Sequence, residues 1–580
     1  MNNMIEFILH IPPVIPAPAL PELFTLRPEG LIHYKGPDQE LMLWGDPVNG
    51  GEFVNNIHGK LVPEQVLTDI YGHYYFVLLN RNEGEIIAGN SLFSILPMYY
   101  HDSSNGIIFS NNAIELGKRS GNGAVSRRFV LETVLFNYPM FNDSIVEKVR
   151  LLPSNSYMKI RKSTFTLVKH TSFADYFSTD PVPWRKAAGS LSDSFIETVK
   201  RYLPSGRYVN ALTGGFDSRT LLAAGLASGG DMICYSFGAP GSKDVEIPDR
   251  VAKTTGLPYV KMLLDDDYAA AKSLENGLEF VFSSSGTASF ARGHYLYAVK
   301  EMAGYSEYMI TGNFGSELFR AANVRGVVFS PNLTALFGRE NPDEAFKIIE
   351  NSRQFNSLHK ASFREEWDQL KGDLLNLPCF RAEYRHLTQN QKFYLFVFEE
   401  VFRKYFGAEM AGQFRYLRNR TPYIDTRFFR TILGTGFAGV YSDFFEHNPF
   451  KRYKGQVLYA HILRNARPEL GRIVTDKGYC PEDLLTFSGR ANVLRGWVKK
   501  KINKTRAQPD PYSVDRAFMH NAGFYRKVPV DFTIFNPAYF TGEAFARPDG
   551  HLIMMLSLSL AGAVIEGKEI PVPRGLQNYR

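Results

Sequence analysis

From Trp184 onward, short apolar segments alternate with segments of helical periodicity, and this alternation constrains the fold more than any other feature. We predict strands at 208–212, 232–237 and 308–311, and helices at 188–202, 219–227 and 245–255. Strand, turn and helix repeated in this order predict a parallel sheet covered by helices. After residue 340 the pattern is mostly helical.

The first 183 residues have a different pattern, which is typical of strands and hairpins. Short aromatic and β-branched runs, separated by turn sequences such as Asn-Glu-Gly, predict strands at 74–79, 85–88, 98–101, 107–110, 157–160 and 164–168. The polar stretch Ser172–Pro183 contains two closely spaced prolines and is interpreted as a linker. The sequence therefore predicts two domains, at 1–183 and 184–580.

Composition places the chain among globular proteins. Of its 580 residues, 44% are hydrophobic, 22% are charged and 14% are aromatic, which indicates large cores. The formal net charge of +7 suits an anionic ligand and gives no reason to expect nucleic acid. The three cysteines (Cys234, Cys379 and Cys480) form no CxxC pair, so neither a disulfide framework nor a cysteine zinc site is expected, and a reducing compartment is favoured.

Two stretches of the sequence are apolar enough to suggest a membrane segment, but neither has the other features of one. Residues 1–20 lack a basic start and contain several prolines, which argue against a signal peptide or a membrane helix. The longest uncharged apolar run, Leu552–Ile565, is shorter than the ~20 residues that a span needs, and it predicts a buried helix. We therefore expect a cytoplasmic protein without a transmembrane segment.

The loop Thr213-Gly214-Gly215-Phe216-Asp217-Ser218, between a predicted strand and a predicted helix, carries the clearest chemical signal. Glycines let the backbone approach a ligand and adopt positive φ, and the two hydroxyl residues add hydrogen-bond donors. The N-terminus of the following helix favours an anion. Asp217 would hold Mg²⁺ that bridges phosphate oxygens. The loop lacks the Gly-Lys-Thr/Ser ending of a Walker loop. The alternative is an ordinary strand-to-helix turn with an Asp-Ser cap.

This loop resembles the Ser-Gly-Gly-x-Asp-Ser pyrophosphate loop of the ATP-pyrophosphatase superfamily. More narrowly, the chain resembles the asparagine synthetase family, whose relatives include β-lactam synthetases and lasso-peptide cyclases. Tyr235–Gly238, with Asp244, Val251–Lys253 and Gly256, resembles that family's adenine-side strand and helix. Thr311–Phe319 resembles its Ser-Gly-Glu-Gly-Ala-Asp-Glu-Leu-Phe motif, and Arg420–Asp425 resembles its Arg-x-Pro-Phe-Leu-Asp motif. Arg452–Ala466, followed by Lys477, resembles its late basic segments. Gly72–Leu78, Leu96–Tyr100 and Val149–Pro153 resemble parts of its glutaminase domain.

The resemblance implies an α/β protein with an Ntn-hydrolase-like αββα domain at 1–183 and an ATP-pyrophosphatase domain, adenine nucleotide α-hydrolase-like, at 184–580. It implies an ATP-dependent ligase that activates a carboxylate as an acyl-AMP, releases pyrophosphate and then forms an amide with ammonia or a substrate amine. The partners would be a small-molecule or peptide carboxylate and an amine or ammonia donor. A homodimer is left open.

The resemblance also assigns site residues. ATP would contact Thr213, Gly214, Gly215, Asp217, Ser218, Phe237, Gly238 and Gly312, and Mg²⁺ would be held by Asp217 and Glu317. Lys454 and Lys477 would be catalytic, since cations must offset the charge that develops when ATP splits between its α- and β-phosphates. The alternative for either lysine is an ordinary solvated surface side chain.

Two departures from the family pattern are expected to matter. A glutaminase of this type needs an N-terminal cysteine, whereas this sequence begins Met-Asn-Asn and its glutamine-holding segment reads Asn90-Ser-Leu-Phe-Ser-Ile95. We therefore expect no glutaminase activity; an undetected upstream start is the alternative. In the second departure, Asn313 and Ser316 replace the family's Glu and Asp, which weakens the expected Mg²⁺ site. Glu317 is the candidate substitute ligand.

Because lactam-forming relatives also lack the first of these carboxylates, its loss argues against ordinary asparagine formation rather than against activity. A second hypothesis remains: a nucleotide-binding scaffold or regulator with degraded chemistry. Arg292 and His294 either face a substrate or have a capping or core role. The basic run 495–504 predicts a solvated helix, with a membrane-surface or anionic-polymer contact as the alternative.

Overall fold

The computed structural model describes residues 5–13, 20–162, 164–319, 328–442, 445, 454–503 and 510–570, and these form a mixed α/β structure with three sheets. The strands are β1 (Ile8–Ile11), β2 (Phe24–Leu26), β3 (Ile32–Lys35), β4 (Gln39–Pro47), β5 (Gly72–Asn80), β6 (Glu85–Asn90), β7 (Tyr99–Ser103), β8 (Gly106–Ser110), β9 (Arg150–Leu151), β10 (Ser156–Arg161), β11 (Thr164–Lys169), β12 (Tyr208–Ala211), β13 (Met232–Gly238), β14 (Tyr259–Leu263), β15 (Tyr308–Ile310) and β16 (Arg418–Arg420).

The α-helices that accompany these strands are mostly short. They are α1 (Gly50–Asn55), α2 (Pro63–Asp69), α3 (Ala113–Arg119), α4 (Arg127–Phe136), α5 (Trp184–Tyr202), α6 (Asp217–Ala227), α7 (Lys243–Thr255), α8 (Asp266–Ala271), α9 (Ser273–Ser283), α10 (His294–Met302), α11 (Gly315–Phe319), α12 (Pro331–Gly338), α13 (Pro342–Glu350), α14 (Arg353–Asn356), α15 (Arg364–Leu375), α16 (Gln389–Phe396), α17 (Gly407–Gln413), α18 (Thr426–Leu433), α19 (Lys454–Ala466), α20 (Gly489–Asn503), α21 (Val514–His520), α22 (Ala522–Tyr525), α23 (Gly542–Ala546) and α24 (Gly550–Ile565). A π-helix, Val397–Phe406, joins α16 to α17.

The N-terminal region contains two antiparallel sheets, with strand orders β2-β1-β8-β7-β9 and β11-β10-β6-β5-β4-β3. Alternate residues of β5 point to opposite faces: Tyr75 and Val77 join the main core with residues of β1 and β8, whereas Tyr74 and Phe76 pack with side chains of α2. Helix α3 contacts β7 and β8. Helices therefore lie on the larger and on the smaller of the two sheets.

The third sheet has the order β14-β13-β12-β15-β16, and all of its strand pairs are parallel. This confirms the parallel sheet that the alternation of strands and helices predicted. The carboxyl ends of its strands meet at one edge, where ligands of open parallel sheets bind. The loops that follow β12, β13 and β15 share this edge, which positions the candidate site.

Sequence periodicity identified six of the N-terminal strands but missed β1 to β4 and the two-residue strand β9. The central residues of β4, Leu41–Trp44, form a continuous apolar run, and the strand is buried almost throughout, so it lacks the alternation that marks a half-buried strand. The short strand β1 precedes a proline-rich stretch, which argued against regular structure. Helix α24 is buried along nearly its whole length, as predicted for its apolar run.

The first part of the stretch Ser172–Pro183, interpreted above as a linker, is packed into the protein, whereas its last part, Thr179–Pro183, is mostly exposed. Phe173, in a 3-10 helix at Phe173–Tyr176, is fully buried, with its ring 4.7 Å from that of Phe93 and 5.2 Å from that of Phe429. It therefore touches the regions on both sides of the predicted boundary. An aromatic side chain in a polar segment can be buried by distant residues, which local composition does not show.

A buried ion pair also joins the N-terminal sheets to the parallel sheet. The Arg420 guanidinium donates to both carboxylate oxygens of Asp46, at 2.8 and 3.0 Å, and to the Tyr202 carbonyl at 2.7 Å. Beside it, His73 Nε2 lies 2.7 Å from the Thr421 hydroxyl. Within the described ranges, no helix combines the length and the apolar character that crossing a membrane requires.

Candidate functional site

The loop after β12 is held in shape by its own hydroxyl groups. Ser218 Oγ accepts a hydrogen bond from the Thr213 backbone N–H at 3.0 Å and lies 3.1 Å from Thr213 Oγ1. Thr213 Oγ1 in turn accepts from the Gly215 N–H at 3.3 Å. Ser218 is 3% exposed, whereas Thr213 is exposed. The two hydroxyls that were predicted as ligand donors thus also stabilise the turn.

The two glycines of this loop have different roles. A Cβ on Gly214 would lie 3.2 Å from the Lys243 carbonyl and 3.4 Å from Asp476 Cβ, whereas one on Gly215 would meet only Thr213 Oγ1 at 3.5 Å. The expectation that they adopt positive φ is wrong, because neither is among the residues with positive φ. Gly214 is needed for close packing, and Gly215 leaves the surface of the loop open.

Asp217 is the point at which two loops meet. Ser316, which follows β15, donates a hydrogen bond to Asp217 Oδ2 at 2.8 Å, and the Tyr459 hydroxyl of α19 donates to Oδ1. The Tyr423 hydroxyl donates to the Asp217 carbonyl at 2.8 Å. The carboxylate is therefore oriented by hydroxyl donors from two different segments, and it lies at the N-terminus of α6.

Gly312 and Gly315 allow the second loop to approach this closely. A Cβ on Gly312 would lie 2.9 Å from the Ser218 backbone N, and one on Gly315 would lie 2.8 Å from Asp217 Oδ1. These are distances at which some neighbouring atom would have to move. Gly312, predicted to contact the nucleotide, is therefore a packing residue against the first turn of α6.

Phe314 fixes the altered part of the second loop. Its φ is +72°, which is unusual for a bulky side chain, and the residue is 1% exposed. The ring lies 4.7 Å from that of Phe402 and 4.9 Å from that of Phe406, both in the π-helix. Asn313 Nδ2 donates to Glu409 Oε1 at 3.3 Å. The segment is therefore shaped by aromatic packing and by the hydrogen bond from the Asn313 amide to the Glu409 carboxylate.

The predicted metal ligands are Asp217 and Glu317, and they differ in surroundings. Glu317 is 4% exposed. Burial raises the pKa of Tyr405, and the negative charge of Glu317 contributes to that rise, which places the carboxylate near this tyrosine. Over the described residues, no group of three His, Cys, Asp or Glu side chains could hold a metal ion. Mg²⁺ commonly needs only one or two carboxylates beside substrate phosphates, so the single half-buried Asp217 carboxylate is a donor that suits it.

Lys477 lies beside the first loop. The Asp476 backbone N–H donates to the Gly214 carbonyl at 3.0 Å, and Lys477 Nζ is 3.5 Å from Asp476 Oδ2. The Lys477 side chain is 17% exposed, so it is not an ordinary solvated lysine. Arg219, which sequence reasoning missed, is buried and donates to the Ile473 carbonyl at 2.5 Å. It thereby holds the segment that leads to Lys477.

Lys454 begins α19, the helix that also carries Tyr459. Its Nζ donates to the Tyr441 carbonyl at 2.9 Å, and burial lowers the pKa of Lys454 to about 8. Helix α19 contacts both α6 and α11. This ammonium group is therefore partly desolvated at the start of a helix that contacts both α6 and α11. The part of the basic segment that precedes it, including Arg452, lies outside the described residues.

Phe237 and Gly238 end β13 at the same edge of the sheet. The Phe237 ring lies 5.4 Å from the His294 ring, 5.7 Å from that of Tyr295 and 6.1 Å from that of Tyr512. A Cβ on Gly238 would be 2.7 Å from Ser242 Oγ. The predicted adenine side of the site is thus an aromatic cluster within the protein.

Of the two possibilities for Arg292 and His294, the structure shows the core environment rather than a substrate-facing one. Arg292 donates to Glu409 Oε2 at 2.9 Å and to the Tyr405 carbonyl at 3.0 Å, and its guanidinium carbon lies 4.3 Å from the centre of the Tyr405 ring. Burial and the charge of Arg292 lower the pKa of His294 to about 3, so this imidazole is neutral. Glu409, which also accepts from Asn313, links Arg292 to the second loop.

Sequence reasoning missed further residues of the site. Tyr423 lies inside the Arg420–Asp425 motif, but its contact with Asp217 could not be seen from the motif. Asp425 caps α18 by accepting from the Phe428 N–H at 3.0 Å, and it pairs with Arg201 at 3.1 Å.

Arg495 and Lys499, in the basic run, are exposed on α20, as expected for a solvated helix; Lys504 lies outside the described residues.

Comparison with known proteins adds little. No family model matches the sequence, and no curated protein matches it. A solved structure with some likeness is glutamine phosphoribosylpyrophosphate amidotransferase from B. subtilis in complex with ADP and GMP, at 9% sequence identity and a TM-score of 0.18. The match covers 45% of this chain and 60% of that chain, so the chain spans less than two thirds of that enzyme. A TM-score this low carries no argument about fold or function.

Proposed function

We propose that this chain is an ATP-dependent ligase of the asparagine synthetase type. It would activate a small-molecule or peptide carboxylate as an acyl-AMP, release pyrophosphate and form an amide with ammonia or a substrate amine. The observation that supports this most is the meeting of two loops on Asp217, at the carboxyl ends of the adjacent parallel strands β12 and β15. Such an edge, with a helix N-terminus beside it, is suited to a bound polyphosphate.

Each group at this edge has a role in the proposal. The N-terminal amides of α6 and the open surface at Gly215 would accept the phosphates, and Lys477 and Lys454 would offset their charge. Asp217 would hold Mg²⁺, which supplies charge neutralisation at the phosphate oxygens when bound. Ser316 and Tyr459 would keep the Asp217 carboxylate in one orientation.

The proposed chemistry has two steps. A carboxylate oxygen of the substrate attacks the α-phosphorus, and the bond from that phosphorus to the bridging oxygen of the β-phosphate breaks, so that pyrophosphate leaves. The amine then attacks the acyl carbon, AMP leaves with the electrons of the broken C–O bond, and the new amide nitrogen loses a proton. The two lysines would stabilise the multiply charged leaving group, which is the step that most needs cations.

The N-terminal region would be an Ntn-hydrolase-like αββα domain that no longer hydrolyses glutamine. The paired antiparallel sheets with helices on both sides support the fold part of this proposal. All three cysteines lie beyond residue 230, so this region contains no thiol nucleophile. Nitrogen would then come from ammonia or from an amine substrate, and purified protein should release no glutamate from glutamine.

A nucleotide-binding scaffold with degraded chemistry is the second candidate. It is favoured by one observation: the second loop has Asn313 and Ser316 at the positions of two family carboxylates, and its shape depends on the packing of Phe314. This hypothesis also requires a nucleotide at the first loop, but it predicts no turnover with any carboxylate.

Pyrophosphate exchange into ATP, assayed across amino acids, other small carboxylic acids and peptides, separates the two candidates. The ligase predicts exchange that depends on one class of carboxylate and is lost in Asp217→Asn. Asp231→Asn is the matched control, because this exposed residue precedes β13 at the opposite edge of the sheet. ATP binding without exchange for any carboxylate would favour the scaffold, and no binding at all would contradict both.

A further inference from the structure

The segment Asp510–Ser513, here called the strap, lies across the carboxyl end of β13. The Pro511 carbonyl accepts a hydrogen bond from the Ala239 backbone N–H, directly after β13, at 2.8 Å. Ser513 Oγ donates to the Leu264 carbonyl, directly after β14, at 2.5 Å. The strap is therefore tied at two points to the chain that continues from two neighbouring strands.

Tyr512, in the middle of the strap, adds a flat ring to the aromatic cluster at this edge. Its ring stacks on that of His294 with the centroids 4.6 Å apart and an interplanar angle of 7°. The Phe237 ring lies 6.1 Å away. Because the imidazole of His294 is neutral, this contact is a stack of two uncharged rings, the kind of contact that any aromatic base could make in its place.

The strap also reaches toward the phosphate-binding side of the candidate site. Burial raises the pKa of Tyr512, and the charges of Asp244 and Glu409 add to that rise, so the hydroxyl lies near both carboxylates. Burial likewise raises the pKa of Asp244, which a hydrogen bond from the Gly214 backbone opposes. The tyrosine ring therefore lies between the end of β13 and residues that contact the first loop.

We propose that the strap occupies the nucleobase subsite of this protein and is displaced when a purine nucleotide binds. This inference rests on the proposed nucleotide site. A purine presents a planar ring for stacking and ring nitrogens that accept hydrogen bonds, and the strap presents the same pair of features: the Tyr512 ring on His294 and the Pro511 carbonyl on the Ala239 N–H. The protein thus satisfies its own base-binding groups when no nucleotide is bound.

Self-occupation has a quantitative consequence. If the strap is in place for most of the time, the apparent affinity for a nucleotide is reduced by the fraction of molecules in which the subsite is open. Weakening the strap should therefore tighten ATP binding. It should not change the binding of tripolyphosphate, which has no base and contacts only the first loop and its lysines.

The test is a calorimetric titration of Mg·ATP and Mg·tripolyphosphate into four proteins: wild type, Tyr512→Ala, Tyr512→Phe and Ser513→Ala. We expect Tyr512→Ala to lower the Kd for ATP about tenfold and Ser513→Ala to lower it by a smaller factor. Tyr512→Phe keeps the stacked ring and should match wild type. Tripolyphosphate should bind all four proteins alike, and thermal melting verifies that each variant is folded.

Other results overturn the proposal in distinguishable ways. If Tyr512→Ala and Ser513→Ala leave ATP affinity unchanged, the strap does not compete with the base. If Tyr512→Ala and Ser513→Ala both weaken ATP binding while tripolyphosphate binding is kept, the base stacks on Tyr512 in its present position. The proposal that the strap is displaced is then wrong. If neither ligand binds any of the four proteins, the nucleotide site itself is wrong, and the role of the strap is rejected with it.

Discussion

Two loops that leave neighbouring strands of the parallel sheet differ in how their shapes are determined. The first, Thr213–Ser218 after β12, consists mostly of small residues and is held by hydrogen bonds between its own hydroxyls and amides. The second, Thr311–Ser316 after β15, contains Phe314 in a left-handed conformation and is held by ring packing against the π-helix. Ser316 connects the two through Asp217.

The comparison indicates which loop can tolerate change. Under the proposed function, the backbone of the first loop and Asp217 would face the phosphates, so binding and catalysis would constrain its residues. In the second, a bulky residue at positive φ costs about 1–2 kcal/mol of conformational energy, and burial of the aromatic ring offsets it. The second loop therefore contributes by placing the Ser316 hydroxyl against the Asp217 carboxylate, and it has no carboxylate of its own at position 316.

The largest effect is expected at the residue that the two loops share. Asp217→Asn should reduce nucleotide-dependent turnover by about 10³, or ~4 kcal/mol of transition-state stabilisation, because a charged oxygen ligand of Mg²⁺ is lost. The amide oxygen can still accept from one of the two hydroxyls of Ser316 and Tyr459, and the other hydroxyl can rotate to accept from the amide NH2, so circular dichroism should show an unchanged fold. Unchanged turnover in the folded variant would mean that this loop is only structural.

Phe314 tests whether packing shapes the second loop. Phe314→Ala should lower the free energy of unfolding by about 3 kcal/mol through the cavity that it leaves. Phe314→Gly should be about 1 kcal/mol more stable than the alanine variant, because glycine accepts positive φ without penalty. Phe319, a buried residue of α11, is the control, since there glycine should be the worse of the two. Chemical denaturation measures all four variants, and the same order at both positions would contradict the explanation.

The charge of Lys454 should appear in a pH profile. Burial lowers the pKa of Lys454 to about 8, so the ammonium group is protonated below this pH and loses its proton as the pH rises through it. If the cation assists the leaving pyrophosphate, kcat/KM, which reports the free enzyme, should fall about tenfold between pH 7 and 9. Lys454→Arg stays charged, so its profile should be flat over this range. A wild-type profile identical to that of the arginine variant would exclude the role.

The smallest effect should come from restoring a carboxylate to the second loop. Ser316→Asp replaces a donor to Asp217 with a second negative charge, which should lower stability by about 1 kcal/mol when no Mg²⁺ is present. Mg²⁺ should reverse this loss if the loops form a metal site, because two carboxylates bind the ion better than one. Glu317→Gln tests the other ligand: it should weaken Mg·ATP binding if Glu317 holds metal. Thermal melting with and without Mg²⁺ tests Ser316→Asp, and calorimetric titration with Mg·ATP tests Glu317→Gln. A loss of stability that Mg²⁺ does not change, together with an unchanged Kd for Glu317→Gln, would argue against a metal here.

Much of the first loop could be predicted from the sequence, because its signal is local. The glycines, the hydroxyls and Asp217 lie within six residues, between a recognisable strand and helix. The shared edge of β12 and β13 also follows from the alternation of strands and helices. The expectation of positive φ at Gly214 and Gly215 is wrong. Gly214 is required because a side chain there would crowd its neighbours, and its backbone conformation does not require glycine.

The rest of the site depends on contacts between residues far apart in the chain. The Tyr459 hydroxyl reaches Asp217 from 242 residues away, and Arg219 holds carbonyl groups more than 250 residues later. No local pattern distinguishes these side chains from ordinary core tyrosines and surface arginines. The left-handed conformation of Phe314 could not be predicted either, because it depends on aromatic residues of a π-helix that sequence periodicity does not identify.

Gly215 gives the most direct test of the claim that the first loop binds a nucleotide. A Cβ at this position would meet only Thr213 Oγ1, at 3.5 Å, so Gly215→Ala should not disturb the fold. The added methyl group would instead occupy the open surface where phosphates are proposed to approach. Calorimetric titration with Mg·ATP should show binding to the wild type and a Kd at least about tenfold weaker for the variant, with the melting temperature unchanged. Equal affinity in both proteins, or no binding to the wild type, would contradict the account.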